Sequence, residues 1–206
     1  MIKILNECDE FVVCEKPAGF VSEYSDSPSS LPYALCSQLG LKELYTVHRL
    51  DREVGGAIVY AKTQKSAAFL SKQLTDGTFN KEYMAQVQGK LASSTAILSD
   101  LLFHDKQKNK TYVVKKKRSG VKEAILEYTI IDYNEKSNLS TLKIKLFTGR
   151  THQIRVQLSS RGFPILGDRK YGSHENIKPI RLHSHKLSFI ATNGNELYFV
   201  SEPSWE

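Results

Sequence analysis

Apolar and polar positions along this chain alternate more often than they wind, and most of the elements they predict are strands. Residues 2–5 and 10–14 predict two short strands, with Lys16-Pro17-Ala18-Gly19 reading as the turn that follows. Residues 22–30 are polar and carry a proline, which predicts an exposed loop. Residues 57–61 form a short apolar run of strand type. Over 64–74, Ala67, Ala68, Phe69, Leu70 and Leu74 recur at the spacing of an amphipathic helix. Tyr83, Ala85 and Val87 alternate with more polar neighbours as far as Gly89. Residues 124–133 and 139–147 predict two further strands joined by a short polar loop, with Leu142, Ile144 and Leu146 on one face. Residues 151–161 predict a short helix, Ile154 and Leu158 on its apolar side and Gly162 as its stop. Near the end, strands at 182–191 and 196–201 flank Asn193-Gly194, a strong hairpin signal. The pattern is strand-rich with a few helices, hence α+β. It shows no repeat, no low-complexity tract and no linker marking a detachable domain.

Composition adds a partner class. At 206 residues, 40% of them apolar, the chain can bury a core fit for one large domain or two small lobes. A net charge of +7 suits a polyanion such as RNA or DNA, although a solvated basic surface gives the same balance. Cys8, Cys14 and Cys36 are odd in number, with no CxxC and no metal-type spacing, and read as reduced thiols. No apolar stretch approaches the roughly 18 residues needed to span a membrane, and the first residues lack the apolar core of a signal peptide. The expected setting is the cytoplasm, with no membrane contact and no obligate protein partner.

Candidate chemistry lies in two short motifs. The first is Val47-His48-Arg49-Leu50-Asp51, followed by Gly55-Gly56. A lone aspartate after a strand is usually a turn former or a cap. Here His48, Arg49 and Asp51 crowd together, and two glycines permit close backbone approach. The second is Thr148-Gly149-Arg150-Thr151-His152-Gln153-Ile154-Arg155. It reads either as an ordinary strand-to-helix junction or as an anion site, because arginine early in a helix opposes the macrodipole and asks for an anionic partner. Arg150 and Arg155 lie on different parts of the helical surface and can address different targets. A guanidinium paired with Asp51 keeps that carboxyl ionised, which suits nucleophilic or general-base work better than acid work.

Together these motifs resemble the RluA-type RNA pseudouridine synthases. Further matches fall in the same order along the chain: Asp9 to Gly19 (DEFVVCEKPAG), Lys81-Glu82-Tyr83, and Gly162 to Gly172 (GFPILGDRKYG). The resemblance covers essentially the whole chain. It implies one catalytic domain over 1–206 without a separate N-terminal RNA-binding domain. It also implies a mixed, largely antiparallel sheet in two merged lobes with a basic active-site cleft. The implied activity is isomerisation of uridine to pseudouridine within RNA, ribosomal or transfer, with neither metal nor organic cofactor. Residue by residue, Asp51 is implied as the catalytic aspartate and Tyr83 as the ring that packs on the uracil and assists proton removal. Arg155 is implied as the partner that holds Asp51 ionised, and Arg49 as the wedge filling the gap left by the flipped nucleotide. A stacked uridine must be extruded to meet a carboxylate in a cleft, at a cost of a few kcal/mol that a wedge and an aromatic platform offset in part. His48, Lys81, Arg150, His152 and Gln153 join Arg49 as expected RNA contacts.

Departures and side issues complete the reading. Where the family usually continues Thr-Ser-Gly after the aspartate, this chain has Val54-Gly55-Gly56, so two hydroxyls of the loop are missing. Gln157 stands where a histidine is common. The basic run at 106–118 is either a solvated hairpin or a phosphate contact, and Lys115, Lys116 and Lys117 are expected on RNA. His183 and His185, two apart on a predicted strand, lack the further ligands of a metal site. Two rivals remain. One is a catalytically idle RNA-binding or RNA-chaperone protein that kept the cleft. The other is a metal-dependent nuclease or phosphatase, for which the carboxylate cluster is absent from the sequence pattern.

Overall fold

The structure is a computed structural model and describes residues 1–205. Its elements run β1 (Lys3–Glu7), β2 (Phe11–Lys16), α1 (Leu31–Leu39), β3 (Tyr45–Thr46), β4 (Gly55–Ala61), α2 (Gln64–Asp76), β5 (Asn80–Gln88), β6 (Thr95–Asp105) and β7 (Lys110–Val114). They continue with β8 (Val121–Asn134), β9 (Leu139–Leu146), α3 (Gln153–Ser159), a 3₁₀ turn at Arg169–Tyr171, β10 (Leu182–Ile190) and β11 (Glu196–Val200). This is an α+β protein, and its strands pair as a mixed, mainly antiparallel sheet. The chain forms two compact units, Met1–Glu82 together with the segment from His183 onward, and Tyr83–Leu182.

In the first unit the strand order is β1-β2-β4-β10. β2 pairs with β4 antiparallel from Phe11↔Ala61 to Lys16↔Gly56. β4 then carries two partners along its other edge, β3 at Tyr45↔Ala61 and, in parallel, β10 at His183↔Gly55 and Ser184↔Gly56. β11 closes an antiparallel hairpin on β10, as Asn193-Gly194 predicts. Residues 57–61 are fully buried, which is why β4 reads as an unbroken apolar run rather than an alternating one. The core gathers Phe11, Val13, Val59, Leu70, Phe79 and Phe189. Phe79 stacks on Phe189 at 5.3 Å between ring centres, and Phe11 meets the same ring edge-on at 5.3 Å. α2 lies where its spacing predicts, with Leu70 on its buried face and the Thr63 side chain accepting the Ser66 N–H at its start.

In the second unit the strand order is β5-β9-β8-β6-β7, its last three pairings antiparallel. One face packs on α3 and the 3₁₀ turn through Leu102, Ala124, Val156 and Tyr171. Residues 22–30 depart from the exposed loop that polarity predicts. Glu23 to Asp26 are exposed, but Ser22 and Ser30 are buried. Ser30 caps α1 by accepting the Tyr33 N–H. Hydroxyls that satisfy backbone groups follow them inside, whatever their average polarity.

Candidate active site

Asp51 stands at the start of a turn closed by the Val54 N–H donating to the Asp51 carbonyl at 3.0 Å. Three neighbours fix that turn. Ser22 brackets Leu50, its hydroxyl donating to the Leu50 carbonyl at 3.0 Å and accepting the Leu50 N–H at 3.1 Å. The Gly19 N–H donates to the Arg52 carbonyl at 2.7 Å, and Arg52 Nε returns to the Gly19 carbonyl at 3.0 Å. Lys16 is the third. Its side chain is 1% exposed, and Nζ donates to the carbonyls of Pro17 (3.2 Å), Arg52 (3.1 Å) and Val54 (2.8 Å). The ammonium thus ties the turn after β2 to the Asp51 turn, spending its donors on backbone carbonyls of both. Burial pulls the Lys16 pKa down to about 8, against the pull of the Asp51 and Glu53 carboxylates in the other direction.

Gly55 and Gly56 behave as the sequence suggests. Gly56 has φ +112°, and a Cβ there would lie 2.3 Å from the Ser184 carbonyl oxygen. Only glycine lets β4 and β10 pair directly behind the Asp51 turn. At Gly55 a Cβ would meet the Lys16 carbonyl at 3.2 Å and His183 Nδ1 at 3.7 Å. Val54, where a hydroxyl is usual, is 2% exposed, and its contribution to the loop is the carbonyl that receives Lys16.

His48 is buried rather than presented. Its Nε2 accepts the Val59 N–H at 3.4 Å, and its ring packs on Phe79 at 5.5 Å. Burial, assisted by the charge of Lys81, lowers its pKa to about 3, so the ring stays neutral. Lys81 is half-buried, and desolvation lowers its pKa as well. Arg49 alone among these reaches solvent, in an exposed ion pair with Glu23 at 2.8 Å. Such a surface pair is worth about 0–1 kcal/mol and is readily exchanged for a phosphate.

In the second unit Tyr83 sits on β5, 6% exposed. α3 begins at Gln153, later than the 151 that its pattern predicts, because His152 adopts a left-handed φ of +54°. Gln153 turns both ends of its amide to this junction. Its Oε1 accepts from the Thr148 hydroxyl (2.8 Å) and the Arg150 N–H (3.0 Å), and its Nε2 donates to the Ile125 carbonyl (3.1 Å). Arg150 lies before the helix, its Nε held by the Glu123 carbonyl at 2.8 Å.

Arg155, in the first turn of α3, meets a carboxylate that the sequence had given no role. Its Nε donates to Asp168 Oδ2 at 2.7 Å and its Nη2 to Asp168 Oδ1 at 2.8 Å, with both side chains at most 4% exposed. This two-pronged geometry fixes the guanidinium plane. Beneath it lies the Tyr171 ring, 5.0 Å from Cζ. The Tyr171 hydroxyl accepts the Thr111 N–H at 2.8 Å and sits 2.8 Å from His152 Nδ1. Burial raises the Tyr171 pKa, so the phenol keeps its hydrogen. Thr111 in turn donates to the Thr151 carbonyl at 2.8 Å and so accepts from His104 Nδ1 at 3.1 Å. One chain of hydrogen bonds ties β6, β7 and the start of α3 to the residue under Arg155.

Lys115, Lys116 and Lys117 are exposed in the loop between β7 and β8. His183 Nε2 is shared with the Ser201 hydroxyl at 2.8 Å, and His185 Nδ1 donates to the Ser201 carbonyl at 3.1 Å. Among the described residues no group of three or more His, Cys, Asp or Glu stands together as metal ligands do. No helix among them is long and apolar enough to cross a membrane. Residue patterns alone missed Lys16, Ser22, Asp168 and Tyr171. Each lay inside a legible segment, but its burial and bonding are tertiary facts.

Residues 10–160 match the family model for RNA pseudouridylate synthase. A protein of Aquifex aeolicus named "uncharacterized RNA pseudouridine synthase" is 34% identical over 192 residues, covering 89% of this chain and 60% of that protein. Ribosomal large subunit pseudouridine synthase D of Borreliella burgdorferi is 33% identical over 216 residues, covering 98% and 65%. The chain thus spans less than two thirds of the length of both. In fold it is similar to human RNA pseudouridylate synthase domain containing 1, with a TM-score of 0.83 at 19% identity over 98% of this chain and 84% of that one. Human RNA pseudouridylate synthase domain containing 4 gives a TM-score of 0.81 at 22% identity, over 98% and 89%. By the extent of the family match and the order of its motifs, the chain belongs to the RluA-type RNA pseudouridine synthase family.

Proposed function

We propose that the protein is an RNA pseudouridine synthase, an isomerase acting on chosen uridines of ribosomal or transfer RNA in the cytoplasm. The observation that carries this reading is the family match over residues 10–160, which includes Asp51, Tyr83 and Arg155. The reaction balances without an added reactant. The bond from the ribose to uracil N1 breaks, a bond from the same ribose carbon to C5 forms, and the C5 proton leaves while N1 gains one. Asp51 is the carboxylate assigned to that exchange, Arg155 the guanidinium that favours its ionised form, and Tyr83 the ring on which uracil packs. The immobilised Asp51 turn supports the assignment, since a reacting carboxylate gains from fixed placement. Arg49, exposed and weakly engaged, suits the wedge role. Lys115, Lys116 and Lys117 suit phosphate contact, each neutralised phosphate adding to salt sensitivity. His48 and Gln153 are committed to the fold, so their contribution to RNA binding is through the loops they shape. The relative named for the large ribosomal subunit makes ribosomal RNA the first substrate to test.

The test maps pseudouridine by position in cellular RNA with the gene, without it, and with an Asp51→Ala copy. Loss of one or a few sites, restored by the wild type alone, is the expected result. Sites that Asp51→Ala restores fully would overturn the role of Asp51, and purified wild type that forms no pseudouridine on bulk RNA would favour the idle RNA-binding protein.

A further inference from the structure

The sheet of the second unit has two faces of different character. The inward face of β6, β7 and β8 carries Leu102, Thr111, Ala124 and Leu126 and is buried, packing in part on α3. On the opposite face, pleat alternation places Ile97 and Phe103 of β6, Tyr112 of β7, and Lys143 and Lys145 of β9. Phe147 follows β9 on the same face. Large apolar groups there remain in solvent: Ile97 is 65% exposed, Phe147 50% and Tyr112 37%.

These aromatics are matched with cations. Lys145 Nζ lies 5.4 Å from the Phe147 ring centre and Arg118 Cζ 5.0 Å from Phe103, while Lys110 Nζ, at the sheet edge, lies 5.9 Å from Tyr112 and 5.4 Å from Tyr171 of the inward face. Tyr112 and Phe103 are direct cross-strand partners. Three ring-and-cation pairs on one sheet face make the chemistry of a single-stranded nucleic acid surface, where a ring takes a base and the neighbouring cation takes its phosphate. The carboxylates on this face are Asp105 of β6 and Glu123, Glu127 and Asp132 of β8, with Asp105 opposite Lys110 and Glu127 opposite Lys145. Lys143 stands opposite Thr129, and Arg118 lies in the loop beyond β7. From Tyr112 to Phe147 the path crosses three inter-strand spacings and about four residues of strand, roughly 20 Å in all, a span for a few nucleotides.

We propose that this outer face of β7-β6-β8-β9 binds a single-stranded segment of RNA, with Tyr112 and Phe147 as base-stacking residues and Lys110 and Lys145 as phosphate contacts. The proposal rests on the reading of the protein as an RNA-modifying enzyme. It adds a contact site that needs none of the residues assigned to the reaction.

Binding of the full chain to a labelled 12-nucleotide oligouridylate and to a 12-base-pair RNA duplex tests it. For the Tyr112→Ala/Phe147→Ala variant the expected loss on the single strand is at least tenfold, with duplex binding and thermal unfolding unchanged, since both rings are exposed. Lys110→Gln/Lys145→Gln should lower the slope of log affinity against log salt by between one and two. An aromatic double variant that binds the oligouridylate as tightly as wild type overturns the proposal. So does self-association of the wild type that the same substitutions abolish, which would make the face an interface between copies. Pseudouridine formation by the wild type is scored separately, so failure of the enzymatic reading and failure of this surface are told apart.

Discussion

Lys16 is a cation in a core residue's surroundings, and its three carbonyl bonds make it a fastener of the Asp51 turn. Removing the donor from a buried carbonyl costs about 1–3 kcal/mol. Lys16→Met is therefore expected to lower unfolding free energy by about 1–3 kcal/mol while lowering the rate of pseudouridine formation at least tenfold. Denaturant unfolding and a single-turnover assay on the same sample check both halves. Activity lost only in proportion to lost folded protein would show that the turn holds without the ammonium. Asp168 is the counterpart case. Asp168→Asn removes the carboxylate charge from the two-pronged contact that fixes the buried Arg155 guanidinium, and a loss of about 3–5 kcal/mol in unfolding free energy is expected. A variant as stable as wild type would count against the importance of that pair. Asp51 and Arg155 were legible because motif spacing carries them. Lys16 was not, because Lys-Pro-Ala-Gly announces a turn and says nothing of where the ammonium goes. Asp168 lies in the 162–172 stretch, yet nothing local ties it to an arginine 13 positions earlier.

Among the elements, those with a clean period or a specific turn signal stood out in advance: α2, the β8–β9 pair and the β10–β11 hairpin. α1 did not, since its burial rests on Leu31, Pro32 and Leu35 with a proline in the first turn, and its cap hides in a serine-rich run. β7 did not either. Its five residues lie amid lysines and read as a basic loop, and only the register with β6 makes them a strand. The start of β4 offers a sharp test, because Gly56→Ala would drive a methyl against the Ser184 carbonyl from a backbone that side chains avoid. A loss of more than about 3 kcal/mol, or no soluble protein, is expected. Gly19→Ala is the control, with φ +97° but open space around its Cβ, and should cost about 1–2 kcal/mol. Equal effects at the two positions would mean that backbone strain alone, and not the β4–β10 approach, governs the site.

Over the whole molecule, the class and the division into two units agree with a chain of this length and pattern, but the boundaries at 82 and 182 were invisible in the sequence because no linker composition marks them. Stability should follow the buried histidine. His48 titrates near pH 3 when folded and near 6.5 when unfolded, so between those values the unfolded state holds the extra proton. Its contribution is complete above pH 6.5 and is lost at about 1.4 kcal/mol for each pH unit below. His48→Phe should flatten the decline in unfolding free energy between pH 6.5 and 4.5 by that slope, and an unaltered slope would exclude His48 as its source. The discontinuous first unit has a consequence in time. Ser184 and Ala57 are hydrogen-bonded across 127 positions of sequence. At roughly 5–20 residues per second on the ribosome, the front of β4 waits about 6–25 s for the strand that completes it. The Tyr83–Leu182 unit has all its own strands by then and can fold first. A nascent chain halted before residue 184 therefore carries Asp51 on a turn that lacks its β10 support, and the turn proposed for catalysis is the last part to be finished.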